Sequence, residues 1–258
     1  MNPEVTVEQV DEHVVVVEVH RPPNNFFDVP LLEAIATAYE ALDDDARIRA
    51  IVLAAEGKHF CAGADFTGRS GAGEVSADAG ARALYTAAVR LFTTAKPVVA
   101  AVQGAAIGGG LGLAMSADFR VGTPRTRFAA NFSRLGFHQG FGLSVTLPRA
   151  IGPQRAAELL MTGNSIDGSE AHRIGLADRL VEEDALRERA VGFAGELARA
   201  APLAVASIRA TLRRGLAGEV TTATDHERAE QARLRQTADF AEGIRAATER
   251  RAPVFVGS

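Results

Sequence analysis

Two short segments of this 258-residue chain carry main chain that could do chemistry. The first is Phe60-Cys61-Ala62-Gly63-Ala64-Asp65; the second, about forty residues on, is Gly104-Ala105-Ala106-Ile107-Gly108-Gly109-Gly110. Ala and Gly leave the backbone bare, so a ligand can approach its N–H groups directly. Each segment follows a short apolar run that reads as a buried strand, Ile48 to Ala55 and Pro97 to Val102. Gly108 to Gly110 leads into Leu111-Gly112-Leu113-Ala114-Met115, which reads as a buried helix. A glycine-lined helix start presents unpaired N–H groups and the positive end of the helix dipole. Two such groups aimed at one point would make an oxyanion hole. The plainer alternative makes both segments tight turns in an ordinary α/β sheet.

Other sites built from local motifs find less support. The six histidines and single cysteine show no His-x-x-x-His or Cys-x-x-Cys spacing, so no metal is expected. The glycine-rich turn misses the dinucleotide register G-x-G-x-x-G, because Leu113 stands at the last position. There is no G-x-x-x-x-G-K-S/T phosphate loop and no G-x-S-x-G nucleophile elbow.

The two backbone segments, in this order and spacing, resemble those of the crotonase (enoyl-CoA hydratase/isomerase) superfamily. The resemblance runs from Pro22-Pro23-Asn24 to the Thr237–Gly243 segment. It implies an α/β fold, a crotonase-like spiral of ββα units with a helical C-terminal trimerisation region. It also implies that the N–H groups of Ala64 and Gly109 polarise the thioester carbonyl of an acyl-CoA. Coenzyme A then arrives as part of the substrate, with no separate cofactor. The implied contacts to it are Lys58 near the phosphates or ribose and backbone of Ala62 and Ala64 at the adenine; Lys58 reads equally well as a solvated surface lysine.

The resemblance also exposes departures. Hydratases of the family use two glutamates, one to deprotonate water and one to protonate the α-carbon. Their positions hold Gly112 and Phe132 here, and the acid of the dehalogenase branch is replaced by Gly140. None of these can move a proton. In the same loop stands His138, the candidate for proton transfer because imidazole titrates near neutral pH; a histidine held by packing is the alternative. Gln139 is a candidate for orienting water or a second carbonyl, and Asp65 for holding the loop shape. Phe26, Phe27, Phe66, Phe132, Phe137 and Phe141 fall in pocket-bordering segments, which favours an apolar acyl group. Two functions compete: an acyl-CoA enzyme with non-standard chemistry, such as hydrolytic C–C cleavage of a β-dicarbonyl compound or a His-assisted isomerisation, and a catalytically silent acyl-CoA carrier.

The positioning elements follow from periodicity. Strands are expected at 13–19, 48–55, 97–103 and 118–122, and helices at 30–43, 80–94 and 109–117. This alternation favours a parallel sheet covered by helices. Residues 67–80, rich in Gly, Ser and Ala, read as a long loop, either a lid over the pocket or a plain surface loop. Beyond 142 the pattern turns helical, with Gly152-Pro153 and Asp167-Gly168-Ser169-Glu170 opening helices and further stretches at 183–200, 202–214 and 220–249. Two regions are expected: an acyl-CoA-binding core, 1–195, and a helical oligomerisation region, 196–258. Leu203, Val205, Ile208 and Leu212 supply apolar surface there for a homotrimer or dimer of trimers.

Bulk properties narrow the class. Apolar residues make up 47% and are evenly spread, and no run is long enough for a membrane span. The net charge of −4 argues against a nucleic-acid partner. No secretion signal is visible and one cysteine cannot form an internal disulfide, so a cytoplasmic protein is expected.

Overall fold

The computed structural model describes residues 3–64 and 77–258. The expected lid therefore lies outside the described residues up to 76; its last four positions form the first turn of a helix.

The chain opens with β1 (Val5–Asp11) and β2 (Val14–Val19), then α1 (Val29–Asp43), β3 (Ala50–Ala55), α2 (Ala77–Arg90) and β4 (Val98–Val102). Next come β5 (Ala105–Ile107), α3 (Gly109–Ser116), β6 (Phe119–Gly122) and β7 (Arg127–Ala129). After a 3-10 turn at Asn131–Leu135 follow α4 (Leu143–Ile151), α5 (Pro153–Thr162), β8 (Ser165–Asp167), α6 (Gly168–Arg173) and β9 (Arg179–Leu180). The rest is helical: α7 (Leu186–Arg199), α8 (Pro202–Leu212), α9 (Leu216–Leu234) and α10 (Ala238–Glu249).

The main sheet has the order β1-β2-β3-β4-β6-β9, parallel except for the β1–β2 hairpin. Its central strands are apolar without alternation because both faces are covered. Val15, Val17, Ile51, Leu53, Val98 and Ala100 face the larger core with α1, α2 and α3. Val14, Val16, Ala50, Val52, Val99 and Ala101 face α7 through Leu186, Ala190, Ala194 and Ala198. The expected boundary at 195 falls inside α7.

A second sheet, β5-β7-β8, carries the site. Its strands have three residues each. They are too short for a periodic signal, and β5 and β8 did not stand out in the sequence. Nor did β1, whose residues after Val5 are exposed. The stretch expected as one helix over 220–249 is two, α9 and α10. Thr237 separates them by capping α10, its Oγ1 accepting from Phe240 N at 3.1 Å. Asp167, in the segment expected to open a helix, caps α6 with Oδ1 accepting from Glu170 N, and Asp28 Oδ1 accepts from Leu31 N on α1, a cap not read from the sequence.

Candidate functional site

The two bare segments lie side by side. Cys61 N donates to Ala105 O and Ile107 N to Cys61 O, both at 3.0 Å, so residues 61–64 run parallel beside β5. On the other flank, Ala62 N donates to Asn24 O at 2.9 Å and Phe27 N to Gly63 O at 3.0 Å. A trans peptide points its C=O and N–H in opposite directions. With Gly63 O committed to Phe27, the N–H of Ala64 points away from Phe27. At the start of α3, Gly108 O accepts from Leu111 N and Gly112 N, at 3.1 and 3.2 Å. The N–H of Gly109 therefore leaves the helix at its N-terminus. Neither N–H has an acceptor among the described residues.

Glycine is required at two places here. Gly108 has φ of 58°, in the left-handed region. Gly109 needs closeness: a Cβ there would sit 2.7 Å from Phe27 Cε1, with Cζ nearer still.

Ala64 and Gly109 both open onto a cavity of about 380 Å³. Phe26, Phe27, Phe132, Phe137 and Phe141 wall it, in edge-to-face pairs at 5.4 Å (Phe27–Phe141) and 5.5 Å (Phe132–Phe137). α2 supplies Leu84 and Tyr85, α9 supplies Gln231, with Arg235 just beyond its end, and α10 supplies Ile244, Ala247 and Thr248. No carboxylate lines the cavity among the described residues. Its titratable groups are Tyr85 and Arg235. Burial, helped by the negative charge of Glu227, raises the Tyr85 pKa, so the phenol keeps its proton. That proton is donated to Gln231 Oε1 at 2.9 Å.

The structure brings together only some of the residues expected from sequence. Ala62, Ala64, Gly109 and Phe132 line the cavity. Asp65 and Phe66 lie outside the described residues. His138 is half-buried and is not on the cavity wall; its Nδ1 lies 2.9 Å from Gln139 O and its ring meets that of His226 edge-on at 5.8 Å. Gln139 is off the wall too, its Nε2 donating to Ser144 Oγ at 3.0 Å. Lys58 borders a separate cavity of about 520 Å³ with His59, Arg125, Arg127 and Glu183. Burial there, with the positive charges of Lys58 and Arg127, lowers the His59 pKa.

Sequence reasoning missed Tyr85, Gln231 and Arg235. Gln231 and Arg235 are one turn apart at the end of α9, a spacing that puts them on one face; nothing local says that this face meets α2.

Comparison with known proteins places the architecture. The family model described as enoyl-CoA hydratase/isomerase matches residues 9–258. The chain belongs to this family. A protein named probable enoyl-CoA hydratase from Bacillus subtilis is 32% identical over 254 residues, covering 96% of this chain and 97% of that one. The crotonyl-CoA hydratase of Syntrophomonas wolfei is 33% identical over 250 residues, 95% of each chain. A crystal structure of an enoyl-CoA hydratase/isomerase from Pseudoalteromonas atlantica T6c superposes with a TM-score of 0.85 at 30% identity, over 98% of this chain and all of that one. The crotonase fold expected from the two motifs is the fold observed.

Within this enoyl-CoA hydratase/isomerase family fold, Gly112 on α3 packs against Phe141. A Cβ there would fall 2.6 Å from Phe141 Cγ, with Phe141 Cβ closer. The Phe132 side chain is buried in the cavity wall. At both positions the space is filled by aromatic carbon.

Proposed function

We propose that the protein binds an acyl-CoA thioester with the carbonyl oxygen between the N–H groups of Ala64 and Gly109, and stabilises the enolate formed when the α-carbon loses a proton. The observation that carries this reading is the pair of N–H groups without acceptors, opening onto one apolar cavity. Removing the α-proton moves negative charge onto the thioester oxygen. Donors fixed in advance in a water-poor site stabilise that charge without reorganising. Lys58 holds the CoA phosphates, Ala62 and Ala64 offer backbone to the adenine, and His138 is the proposed proton carrier. With Gly112 and Phe132 where the two carboxylates would stand, hydration by paired acid and base is not its reaction. Isomerisation through that enolate is, or hydrolysis of a β-dicarbonyl C–C bond, in which water adds to the distal carbonyl and the breaking bond leaves its electron pair as the same thioester enolate, protonated afterwards.

A second reading, a silent acyl-CoA carrier, is favoured by the absence of any carboxylate from the cavity wall among the described residues. One experiment separates them. The protein is mixed with saturated and unsaturated acyl-CoAs in deuterated water, and α-proton exchange and hydration are followed by NMR, with binding measured by calorimetry. Binding with α-exchange and without hydration supports the enolate enzyme. Binding without exchange supports the carrier. Efficient hydration of crotonyl-CoA, with kcat above about 10 s⁻¹, overturns both.

The protein is further proposed to be a cytoplasmic homotrimer or dimer of trimers. Leu203, Ile208 and Leu212 on α8 are 87%, 59% and 77% exposed, while the buried residue of that helix is Arg209. Arg209 Nε donates to Asp118 Oδ2 at 2.8 Å, anchoring the helix by its polar side. An apolar face turned outward in this way marks an interface. Light scattering at micromolar concentration checks it; a monomer overturns it.

A further inference from the structure

We propose that the acyl group this pocket selects ends in a carboxylate, and that Arg235 reads it. The inference rests on the acyl-CoA reading and names its substrate class.

Among the described residues Arg235 is the cation of a mostly apolar wall. Its Nε is buried without a hydrogen-bond partner, and no ion pair to its guanidinium exists among the described residues. Its recorded neighbour is the face of the Phe137 ring, 5.9 Å from the guanidinium carbon. The backbone is fixed beneath it, with Arg235 N donating to Gln231 O at 2.9 Å at the end of α9. A guanidinium held at an apolar wall without a counter-ion is costly, and the cost is recovered when an anion meets it.

Of the polar side chains on this wall, Gln231, Tyr85 and Thr248 are already committed. Gln231 Nε2 donates to His138 O at 3.0 Å and to Gln139 O at 3.2 Å. Tyr85 Oη donates to Gln231 Oε1, and Thr248 Oγ1 to Ile244 O at 2.9 Å. Gln231 and Tyr85 thus brace one another, and among the described residues Arg235 is the cation on the cavity wall, with its Nε–H unpaired. Its planar fork suits a carboxylate through two parallel hydrogen bonds. A thioester carbonyl at Ala64 and Gly109 and a distal carboxylate at Arg235 would hold a dicarboxylic mono-thioester at both ends. A neutral chain would leave the half-buried guanidinium without a counter-ion among the described residues.

The test is calorimetry of the full-length protein with saturated thioesters matched in length: glutaryl-CoA against pentanoyl-CoA, and adipyl-CoA against hexanoyl-CoA. At least one dicarboxylic member should bind roughly ten- to a hundred-fold more tightly than its neutral counterpart, the range of a charge-assisted hydrogen bond. Arg235→Met should reverse that preference, and Arg235→Lys should restore part of it. Equal or tighter binding of the neutral chains to the unmodified protein overturns the proposal while leaving the acyl-CoA reading intact. So does a preference that survives Arg235→Met. Binding of none of the four thioesters overturns the acyl-CoA reading and this inference with it. The unmodified protein alone gives the first comparison, so a variant that fails to fold does not block it.

Discussion

Phe141 fills the space into which a side chain on Gly112 would point. It holds that place with φ of 63°, a left-handed conformation that costs a bulky residue energy and persists where packing over-determines it. Restoring a carboxylate by Gly112→Glu should therefore not restore hydration. It should destabilise the fold by about 1–3 kcal/mol or more through overpacking. Phe141→Gly should also destabilise, because it removes a buried ring. The double variant should be markedly more stable than the sum of the two losses, since the substituted positions share one space. Thermal or urea unfolding of the four proteins checks it; additive losses would show that the side chains do not compete.

Gln231 ties α9 to the loop at 138–140, where its amide serves the carbonyls of His138 and Gln139 and accepts from Tyr85. Gln231→Leu takes this partner from the His138 carbonyl and the Tyr85 hydroxyl, while Gln139 O keeps the His138 ring at 2.9 Å. A loss of about 1–3 kcal/mol is expected, read from urea midpoints at constant m-value. An unchanged midpoint would show that water replaces the amide.

Cys61 is fully enclosed, and burial pushes its thiol pKa up to about 12. The folded protein should not react with a thiol reagent at pH 8, whereas the unfolded chain should react at once. The sign for stability follows from the same shift. The folded state keeps a proton that the unfolded state releases above its ordinary thiol pKa. The contribution is complete below that value and is lost as pH rises toward about 12. Rapid labelling of native protein would show that the 61–64 segment opens readily.

His138 carries the proposed proton transfer, although its ring lies off the cavity wall. On that proposal, His138→Ala lowers kcat by roughly 10²-fold or more and leaves thioester affinity within a few-fold. A full rate in His138→Ala assigns the proton step to another group.

The sequence alone determined the family, the two backbone segments of the site, the parallel sheet and most helix ends. These signals are local: continuous apolar runs mark strands buried on both faces, and a cap such as Asp167 acts within one turn. Gly112 and Phe132 carry no titratable group, which residue identity alone tells. Tertiary structure decided what surrounds them. Periodicity says that Tyr85 and Gln231 face inward, without saying that they meet across 146 residues of chain. The phenylalanine pattern says that Phe141 is buried, without saying that it occupies the volume of a side chain absent from Gly112. His138 sits two residues from a buried turn on which Phe137 and Phe141 point into the cavity, and only the backbone path turns its ring elsewhere. Burial is written in local pattern, but which buried groups share one cavity depends on how α2, α9 and α10 close over β5 and α3.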